Sequence, residues 1–486
     1  MPRARPAALV VVSLAAGAVP LAAQQDDTVV TAQYEDGGIY EGTMEDGLQH
    51  GRGTYRLPNG YEYTGEWVQG EIRGAGTAVF PNGAVYEGEF AEGRPEGSGV
   101  MTTADGGTYE GTFSDGRIDG EGVAVYADGV RYEGGFRDAD HHGQGRLETP
   151  AGYVYDGTWS EGRKDGAGIV AYPGGATYEG GMAADLRDGQ GRLETEAGLV
   201  YDGGWAAGEM TGQGTLTQPD GDVYTGTFEG GDREGAGRVA YADGSVYEGG
   251  FTADRREGTG TLTRPDGYVY EGEWANGRIS GTGTATYADG AVYRGTFRND
   301  LPEGTGTITY ADGATYEGSW NAGVPQGSGT VTYPDGTVYE GELVDAVNEG
   351  QGTITRTDGY SYAGGWQAGA RHGTGVATYP DGTVYEGGFE NGARAGQGRI
   401  VYPDGAAYEG EWADGAMEGQ GIATYADGSV YEGGFSEGER DGEGTIRYSG
   451  GTEASGTWED GALVQPAAAA APEPAGDAPD AAAGAP

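Results

Sequence analysis

The chain of 486 residues contains no cysteine and only one lysine, Lys164. The absence of cysteine excludes disulfide bonds, thiol chemistry and cysteine metal sites. Basic residues are also scarce, because 28 of them stand against 77 acidic residues and give a formal net charge of −49. Nucleic acid and anionic lipid surfaces are therefore poor partners at long range, since both are negatively charged. Cations and basic protein surfaces suit this charge better.

Long hydrophobic runs are missing as well, with one short exception at the N-terminus. No later segment has the roughly 18 apolar residues that a membrane-spanning helix needs. The exception, residues 7–19, follows Arg3 and Arg5 and leads to small residues ending at Ala23. This arrangement is typical of a secretory signal, so we predict cleavage after Ala23 and export to the periplasm or the cell exterior. An uncleaved membrane anchor is the alternative.

Glycine and tyrosine are abundant and strictly periodic. Tyrosine recurs every 23 residues from Tyr40 to Tyr431 in eighteen copies without insertion or deletion, and the nineteenth slot holds Ala454. We call these residues the key tyrosines, and position n denotes the residue n places after one. Glycine occupies positions 2, 11, 13 and 20, which indicates one small unit stacked many times. The predicted segments are a signal peptide (1–23), a lead-in (24–39), the repeat array (40–461) and a disordered Ala/Pro-rich tail (462–486).

Residues 314–336 illustrate one repeat. Two β-prone runs, 315–320 and 330–333, are predicted strands separated by a loop rich in glycine and proline. The Asp-Gly step before the next repeat is the predicted tight hairpin turn. The predicted fold is all-β, an elongated ribbon of about eighteen antiparallel β-hairpin units in a single-layer twisted sheet.

Alternation along each strand divides the side chains between two faces. The key tyrosine, the glycine and the aromatic residue at position 4 share one face, and Glu and Thr share the other. This aromatic face either packs internally or remains exposed as a binding groove. We expect tyrosine and glycine to stack internally and the Trp/Phe position to be the more exposed half. The candidate groove residues are Trp67, Trp159, Trp205, Trp274, Trp320, Trp366, Trp412, Trp458, Phe251, Phe297, Phe389 and Phe435. The candidate structural positions of one repeat are Tyr270, Gly272, Gly281, Gly283 and Gly290.

The pattern Tyr-Glu-Gly-x-(Trp/Phe)-x-x-Gly-x-x-x-Gly-x-Gly, closed by Asp-Gly six residues later, resembles the MORN repeat (membrane occupation and recognition nexus). The stretch from Tyr270 to Gly283 shows it clearly, and the resemblance extends from Tyr40 to about Gly461. It implies hairpin ribbons with an aromatic groove that serve in scaffolding, protein–protein contact, dimerisation and, in some accounts, lipid association. The spacer residues that are often basic in this family are mostly acidic or neutral here, which argues against phosphoinositide binding.

Candidate catalytic groups are few. The four histidines are His50, His141, His142 and His372, and most repeats lack a histidine at these positions. We therefore interpret them as loop residues, not as metal ligands or acid–base catalysts. The sequence has no Gly-x-Ser-x-Gly nucleophile elbow and no phosphate-binding loop. We predict no enzymatic activity, no cofactor and no metal.

An acidic column is the second periodic feature. Fourteen of the eighteen residues at position 1 are Glu or Asp, among them Glu41, Glu87, Glu110, Glu317 and Glu409. Carboxylates on every second strand stand about 10 Å apart, which is too far for two of them to share one Ca²⁺. A solvated face is the main interpretation, and weak Ca²⁺ sites completed by turn aspartates are the alternative.

Position 7 breaks the glycine pattern at five places. The exceptions are Ala139, Asp185, Asp254, Asp300 and Ala346, most of them 46 residues apart. They indicate either a two-repeat duplication or loops of a different shape.

Together these features favour an exported, non-enzymatic scaffold that binds a protein partner through the aromatic groove. The partner is either another protein or a second copy of the chain, which would form a homodimer. Two other functions stay open: a peripheral envelope protein that associates with lipid through divalent cations, and a protein that binds carbohydrate or cell wall through aromatic platforms.

Overall fold

The computed structural model describes residues 28–467. These residues form 39 β-strands and no helix, which confirms the all-β prediction. Among them, no helix offers the length and apolarity that crossing a bilayer requires. The predicted signal peptide, 1–23, and tail residues 468–486 lie outside the described residues.

The strands alternate between two lengths. Each even-numbered strand from β2 to β38 has seven residues and carries one tyrosine slot of the 23-residue period, as follows: β2 Ile39–Glu45, β4 Glu62–Val68, β6 Val85–Ala91, β8 Thr108–Ser114, β10 Arg131–Arg137, β12 Val154–Ser160, β14 Thr177–Ala183, β16 Val200–Ala206, β18 Val223–Glu229, β20 Val246–Thr252, β22 Val269–Ala275, β24 Val292–Arg298, β26 Thr315–Asn321, β28 Val338–Val344, β30 Ser361–Gln367, β32 Val384–Glu390, β34 Ala407–Ala413, β36 Val430–Ser436 and β38 Glu453–Glu459.

Each odd-numbered strand from β3 to β37 has nine residues, as follows: β3 Leu48–Arg56, β5 Glu71–Val79, β7 Arg94–Thr102, β9 Arg117–Val125, β11 Asp140–Glu148, β13 Arg163–Ala171, β15 Leu186–Glu194, β17 Glu209–Thr217, β19 Asp232–Ala240, β21 Arg255–Thr263, β23 Arg278–Thr286, β25 Leu301–Thr309, β27 Val324–Thr332, β29 Val347–Thr355, β31 Ala370–Thr378, β33 Ala393–Val401, β35 Ala416–Thr424 and β37 Glu439–Arg447. The first strand, β1 (Val30–Gln33), and the last, β39 (Ala462–Pro466), are shorter.

The chain divides into two compact units, Met1–Gly212 and Gln213–Pro486, and the boundary falls within β17. In the first unit, successive strands from β1 to β16 pair antiparallel. In the second unit the same pairing runs from β18 to β39. Each unit is therefore an open antiparallel sheet of hairpins.

The tight turn of each hairpin lies inside the repeat, at positions 6 and 7. In the repeat of Tyr316, Ala322 (φ 47°) and Gly323 (φ 87°) alone separate β26 from β27. Two consecutive positive φ angles are the signature of a type I′ turn. The predicted loop between 320 and 330 is therefore wrong, because Val324–Thr332 is one strand that includes Pro325. A β-bulge between Gly318 and Trp320 accommodates the mismatch in strand length.

The Asp-Gly step lies in a longer connection between repeats and is not the tight turn. Residues 333–337 join β27 to β28, and the N–H of Tyr333 donates to the carbonyl of Thr337 at 2.8 Å. The Asp335 carboxylate accepts the N–H of Thr337 at 2.9 Å, and only Gly336 has a positive φ, 82°. Aspartate thus shapes this loop by accepting a local hydrogen bond.

The position 7 substitutions keep the same turn. Ala139, Asp185, Asp254, Asp300 and Ala346 have φ between 64° and 73°. Loops of a different shape are therefore the wrong interpretation. The three aspartates also accept a main-chain N–H, from Lys164, Arg233 and Ile279 respectively, at 2.9–3.0 Å.

Both margins of the repeat array carry a strand. In the lead-in, β1 pairs with β2. At the other margin, β39 pairs with β38 through Ala462–Pro466, so the predicted disordered tail begins too early at 462. Ladder hydrogen bonds to β38 offset the entropy of ordering these five residues.

Candidate binding groove

The key tyrosines lie against two glycines of their own repeat, as the repeat of Tyr270 shows. A Cβ added at Gly272 would lie 2.4 Å from the Tyr270 hydroxyl, and one at Gly283 would lie 2.5 Å from it. Only glycine leaves room for the ring there. Gly281 (φ 88°) and Gly290 (φ 90°) serve a different purpose, because their backbone conformation disfavours other residues.

The tyrosine hydroxyls are satisfied by the main chain. The Tyr270 hydroxyl donates to the carbonyl of Glu273 at 2.9 Å. All eighteen key tyrosines make this bond to the carbonyl at position 3. Burial raises the pKa of these phenols, to about 12 for Tyr86 and Tyr385. The rings therefore stay neutral and anchored at physiological pH.

The Trp/Phe position completes the buried core. The ring of Trp274 lies 5.1 Å from that of Tyr247 and 5.5 Å from that of Tyr270, edge to face in both pairs. Its Nε1 donates to the carbonyl of Gly260 at 3.2 Å. The expectation that this position is the more exposed half is wrong, because interlocking with tyrosines of two repeats covers the ring.

None of the twelve candidate groove residues is more than 8% exposed. Their role as partner contacts stays a prediction. They are Trp67, Trp159, Trp205, Trp274, Trp320, Trp366, Trp412, Trp458, Phe251, Phe297, Phe389 and Phe435.

A groove remains above this core, and it recurs at matching positions. In the second unit, a cavity of about 370 Å³ lies between Tyr402, Tyr425 and Arg440. In the first unit, a cavity of about 250 Å³ is lined by Ile118 and Tyr126 at equivalent positions. We use "groove" for this space, which is bordered by positions 9 and 17 of successive repeats.

Position 17 supplies half-exposed tyrosines that sequence reasoning missed. Tyr402 is 38% exposed and Tyr448 is 43% exposed, in contrast to the buried key tyrosines. We call this set the rim tyrosines. They are Tyr126, Tyr172, Tyr241, Tyr287, Tyr310, Tyr333, Tyr379, Tyr402, Tyr425 and Tyr448. Their 23-residue recurrence was the available signal.

Position 9 places cations over the buried rings. The Arg394 guanidinium carbon lies 4.1 Å from the centroid of Trp412, and its Nη2 donates to the carbonyl of Gly415 at 2.7 Å. A desolvated cation–π contact of this kind contributes about 2 kcal/mol. The groove arginines that stack on Trp or Phe in this way are Arg187, Arg233, Arg256, Arg371, Arg394 and Arg440.

Most groove arginines have no acidic partner. Arg233 pairs with Asp254 at 2.9 Å. Across residues 28–467, the other five have no carboxylate within 4.0 Å. In a chain of net charge −49, these five arginines therefore carry no ion pair, although Glu439 lines the same cavity as Arg440.

The histidines lie in strands and not in loops, so that interpretation is wrong. His50 lies in β3, His141 and His142 lie in β11, and His372 lies in β31. His141 occupies position 9 and stacks on Tyr132, with ring centroids 3.7 Å apart. Burial lowers its pKa to about 4, which keeps it neutral. The described part of the chain holds no group of three or more His, Cys, Asp or Glu residues that could bind a metal.

The opposite face carries the acidic column. Glu317 stands between Thr307 and Thr330 in the strand register and is exposed. Some column members pair with arginine on the next strand, as Glu248 does with Arg238 at 2.9 Å. This is the solvated polar face that the alternation predicts.

Family comparison agrees with the periodicity. The sequence profile described as MORN repeat matches seventeen stretches that together cover well over half of the chain. They are 40–60, 63–85, 86–108, 109–131, 132–152, 155–177, 178–198, 201–223, 224–246, 247–267, 270–292, 293–315, 316–338, 362–384, 385–407, 408–430 and 431–453. The chain belongs to the MORN repeat family.

One MORN repeat, 339–361, escapes the profile yet folds like its neighbours. Leu343 replaces the aromatic residue of this repeat, and Ala346 replaces the turn glycine. Its strands β28 and β29 still pair Tyr339 with Ile354 in the standard register.

Comparison with solved structures adds only weak likenesses. The TCP domain of Drosophila melanogaster SAS-4, in complex with a proline-rich motif of Ana2, is 14% identical, with a TM-score of 0.18 over 37% of this chain and 85% of that chain. The TCP10 domain of Danio rerio CPAP is 12% identical, with a TM-score of 0.11 over 58% and 95%. An inactive virginiamycin B lyase from Staphylococcus aureus is 10% identical, with a TM-score of 0.11 over 68% and 94%. No curated protein sequence shows significant similarity.

The family and the geometry agree on a broad class of function. The chain is a MORN repeat scaffold, and its aromatic clusters fit a non-enzymatic interaction module.

Proposed function

We propose that this MORN array is an exported, non-enzymatic scaffold that holds a protein partner in the groove. The observation that carries the proposal is the pairing of half-exposed rim tyrosines with groove arginines that lack acidic partners. Tyrosine and arginine are the side chains most enriched where protein interfaces bind tightly. The buried Trp/Phe row supports the groove floor beneath them.

Substitution of the rim tests partner capture. In the second unit, Tyr310→Ala, Tyr333→Ala and Tyr402→Ala remove exposed rings without touching the key tyrosines. The matched control is Glu317→Ala, Glu340→Ala and Glu386→Ala on the polar face, which adds no apolar surface to the groove.

Proximity labelling in the native host, together with sedimentation of the purified chain, gives the readout. We expect the rim variant to lose its labelled partner, or its dimer, while the control keeps it. Equal labelling and sedimentation in both variants would contradict the proposal.

Export has a separate test. Intact mass measurement of the protein recovered from the periplasm or medium should show a chain that begins at Gln24. Recovery of the chain only in the cytoplasm, starting near Met1, would contradict export while leaving the groove proposal intact.

A further inference from the structure

We propose that three tyrosine pairs at the rim of the groove are sites of oxidative cross-linking, where a dityrosine bond closes one hairpin of the array. Each pair joins a rim tyrosine to the tyrosine at position 21 of the preceding repeat. This inference concerns a covalent modification and does not depend on the proposed partner. The pairs are Tyr153 with Tyr172, Tyr268 with Tyr287, and Tyr360 with Tyr379.

The two rings of each pair are already in contact. Their centroids lie 5.9, 5.8 and 5.6 Å apart, respectively. In the second pair, Tyr268 precedes Val269 and Tyr287 follows Thr286, and those two neighbours form the terminal register pair of the hairpin β22–β23. The other pairs flank β12–β13 and β30–β31 in the same way. Each pair therefore lies at the open end of a hairpin, opposite its tight turn, where strand pairing holds the rings together.

Other rim tyrosines are accessible but have no tyrosine neighbour. Tyr310 and Tyr402 are both 38% exposed, and neither ring contacts another aromatic ring among residues 28–467. The residue at position 21 of the preceding repeat is Ala291 for Tyr310 and Thr383 for Tyr402. Accessibility and pairing are therefore separate properties of the rim, which makes the proposal specific to the paired rings.

The coupling is a two-electron oxidation whose oxidant is hydrogen peroxide, acting through a haem peroxidase. Each phenol loses one electron and one proton and becomes a phenoxyl radical. The two radicals join through one ortho carbon of each ring, and the hydrogen on each of these carbons moves to the oxygen of the same ring, which restores two phenols. The two electrons and two protons convert one molecule of hydrogen peroxide into two molecules of water.

The composition leaves tyrosine as the residue for a cross-link of this kind. Without cysteine the chain forms no disulfide bond, and with Lys164 as its one lysine it forms no bond between two lysines. No thiol of the chain competes for a tyrosyl radical either. Of the six paired hydroxyls, that of Tyr360 alone has a described hydrogen bond, from Nη1 of Arg371. The rings can therefore adjust to the new bond with little loss of other contacts.

The cross-link would act on the stability of one hairpin. The two tyrosines of each pair are 19 residues apart in sequence. A covalent bond between them closes this loop in the unfolded chain, which lowers its conformational entropy and favours the paired hairpin. The bond also fixes the rim of the groove at that repeat.

A fourth pair at the equivalent position provides a control within the chain. The rings of Tyr61 and Phe80 lie 6.0 Å apart at the open end of β4–β5. Phenylalanine has no phenol to oxidise, so this pair cannot couple, and Phe80→Tyr supplies the missing group without removing the ring. Outside the rim, Tyr34 and Tyr55 lie at the same distance, 6.0 Å, and fall under the same rule.

Oxidation of the full chain tests the proposal. A mixture of isotopically light and heavy chains at micromolar concentration is treated with hydrogen peroxide and a haem peroxidase, and dityrosine-linked peptides are mapped by mass spectrometry. Rings held in contact have an effective concentration of about millimolar or more, so cross-links within one chain should exceed those between chains at least about tenfold. The pair of Tyr360 should couple slowest, because this ring is only 9% exposed. Equal yields within and between chains, or cross-links concentrated on Tyr310 and Tyr402, would overturn the proposal.

Conservative variants sharpen the result. Tyr287→Phe should abolish the cross-link of Tyr268 and leave the other two pairs unchanged, while the matched control Tyr310→Phe should leave all three. Phe80→Tyr should add a cross-link to Tyr61. Circular dichroism checks the fold of each variant. Persistence of the Tyr268 cross-link yield in dityrosine form after Tyr287→Phe, or no new cross-link in folded Phe80→Tyr, would contradict coupling by ring contact.

Discussion

The two faces of each sheet are built from the same strands, but one face is a buried core and the other faces solvent. On the aromatic face, rings that are almost fully covered lie on glycines, so within residues 28–467 this face acts as the core of each sheet. On the polar face, Glu317 lies between the half-buried Thr307 and Thr330 in register and stays exposed. One residue can therefore be critical while the next along the strand is nearly neutral.

Ionisation of the buried phenols has the largest expected effect. Burial raises the pKa of key tyrosines such as Tyr86 and Tyr247 to about 12, against about 10 when unfolded. Their contribution to stability is complete below pH 10 and is lost as pH rises through 12. The urea midpoint should fall steeply and cooperatively between these values, measured by circular dichroism. A midpoint that stays constant up to pH 12 would contradict buried, neutral rings.

Two glycines of one repeat are needed for different reasons: one leaves room for a tyrosine ring, and the other adopts a positive φ. Gly283→Ala should destabilise by about 3 kcal/mol, because the new Cβ would collide with the Tyr270 ring. Gly277→Ala should cost only about 1 kcal/mol, since its Cβ meets nothing within 4 Å and only φ (82°) is unfavourable. Urea unfolding of both variants provides the comparison. Equal costs would show that Tyr270 does not lie over Gly283.

The unusual turns offer a stabilising change. Ala346 adopts φ 64° without a side-chain hydrogen bond, so Ala346→Gly should raise the unfolding free energy by about 1 kcal/mol. Asp300→Gly is the matched control, because it relieves the same φ but removes the bond to the Ile279 N–H, and its net gain should be smaller. A larger increase in unfolding free energy for Asp300→Gly than for Ala346→Gly would show that the Asp300 hydrogen bond does not offset the strain of its positive φ.

The polar face should respond least. Glu317→Gln removes an exposed carboxylate that has no described salt bridge, so stability should change by less than about 0.5 kcal/mol. Thermal melts of wild type and Glu317→Gln, with and without millimolar Ca²⁺, supply the measurement. Ca²⁺ should not shift the melting temperature of either protein. A Ca²⁺-dependent rise in wild type that Glu317→Gln abolishes would revive the ion-binding alternative.

The strict period made most of the fold predictable from sequence. Alternation correctly assigned Tyr270 and Gly272 to one face and the glutamates to the other, because side-chain direction in a strand follows sequence parity. The turn was misplaced because Asp-Gly is a stronger local signal than the Ala322-Gly323 pair that makes the two-residue turn. Pro325 also suggested a loop, yet it lies in the strand and pairs with Trp320 in the register.

The groove was harder to predict than the fold. The exposure of the Trp/Phe row depends on how rings of adjacent repeats interlock. Alternation along a strand gives the face on which a side chain lies, but not its contacts with neighbouring repeats. Trp274 is covered by tyrosines 27 residues before it and four residues before it. The position of Arg394 over Trp412 likewise depends on contact between repeats. The recurrence of tyrosine at position 17 was visible in the sequence, but its exposure was not.

Chemical nitration of tyrosine, mapped by mass spectrometry, tests the central contrast between buried key tyrosines and accessible rim tyrosines most directly. We expect rapid modification at Tyr126, Tyr310, Tyr333, Tyr402 and Tyr448, which are 38–43% exposed, and protection of the key tyrosines from Tyr40 to Tyr431, which are at most 4% exposed. Modification of both sets at similar rates in the folded chain would contradict the account.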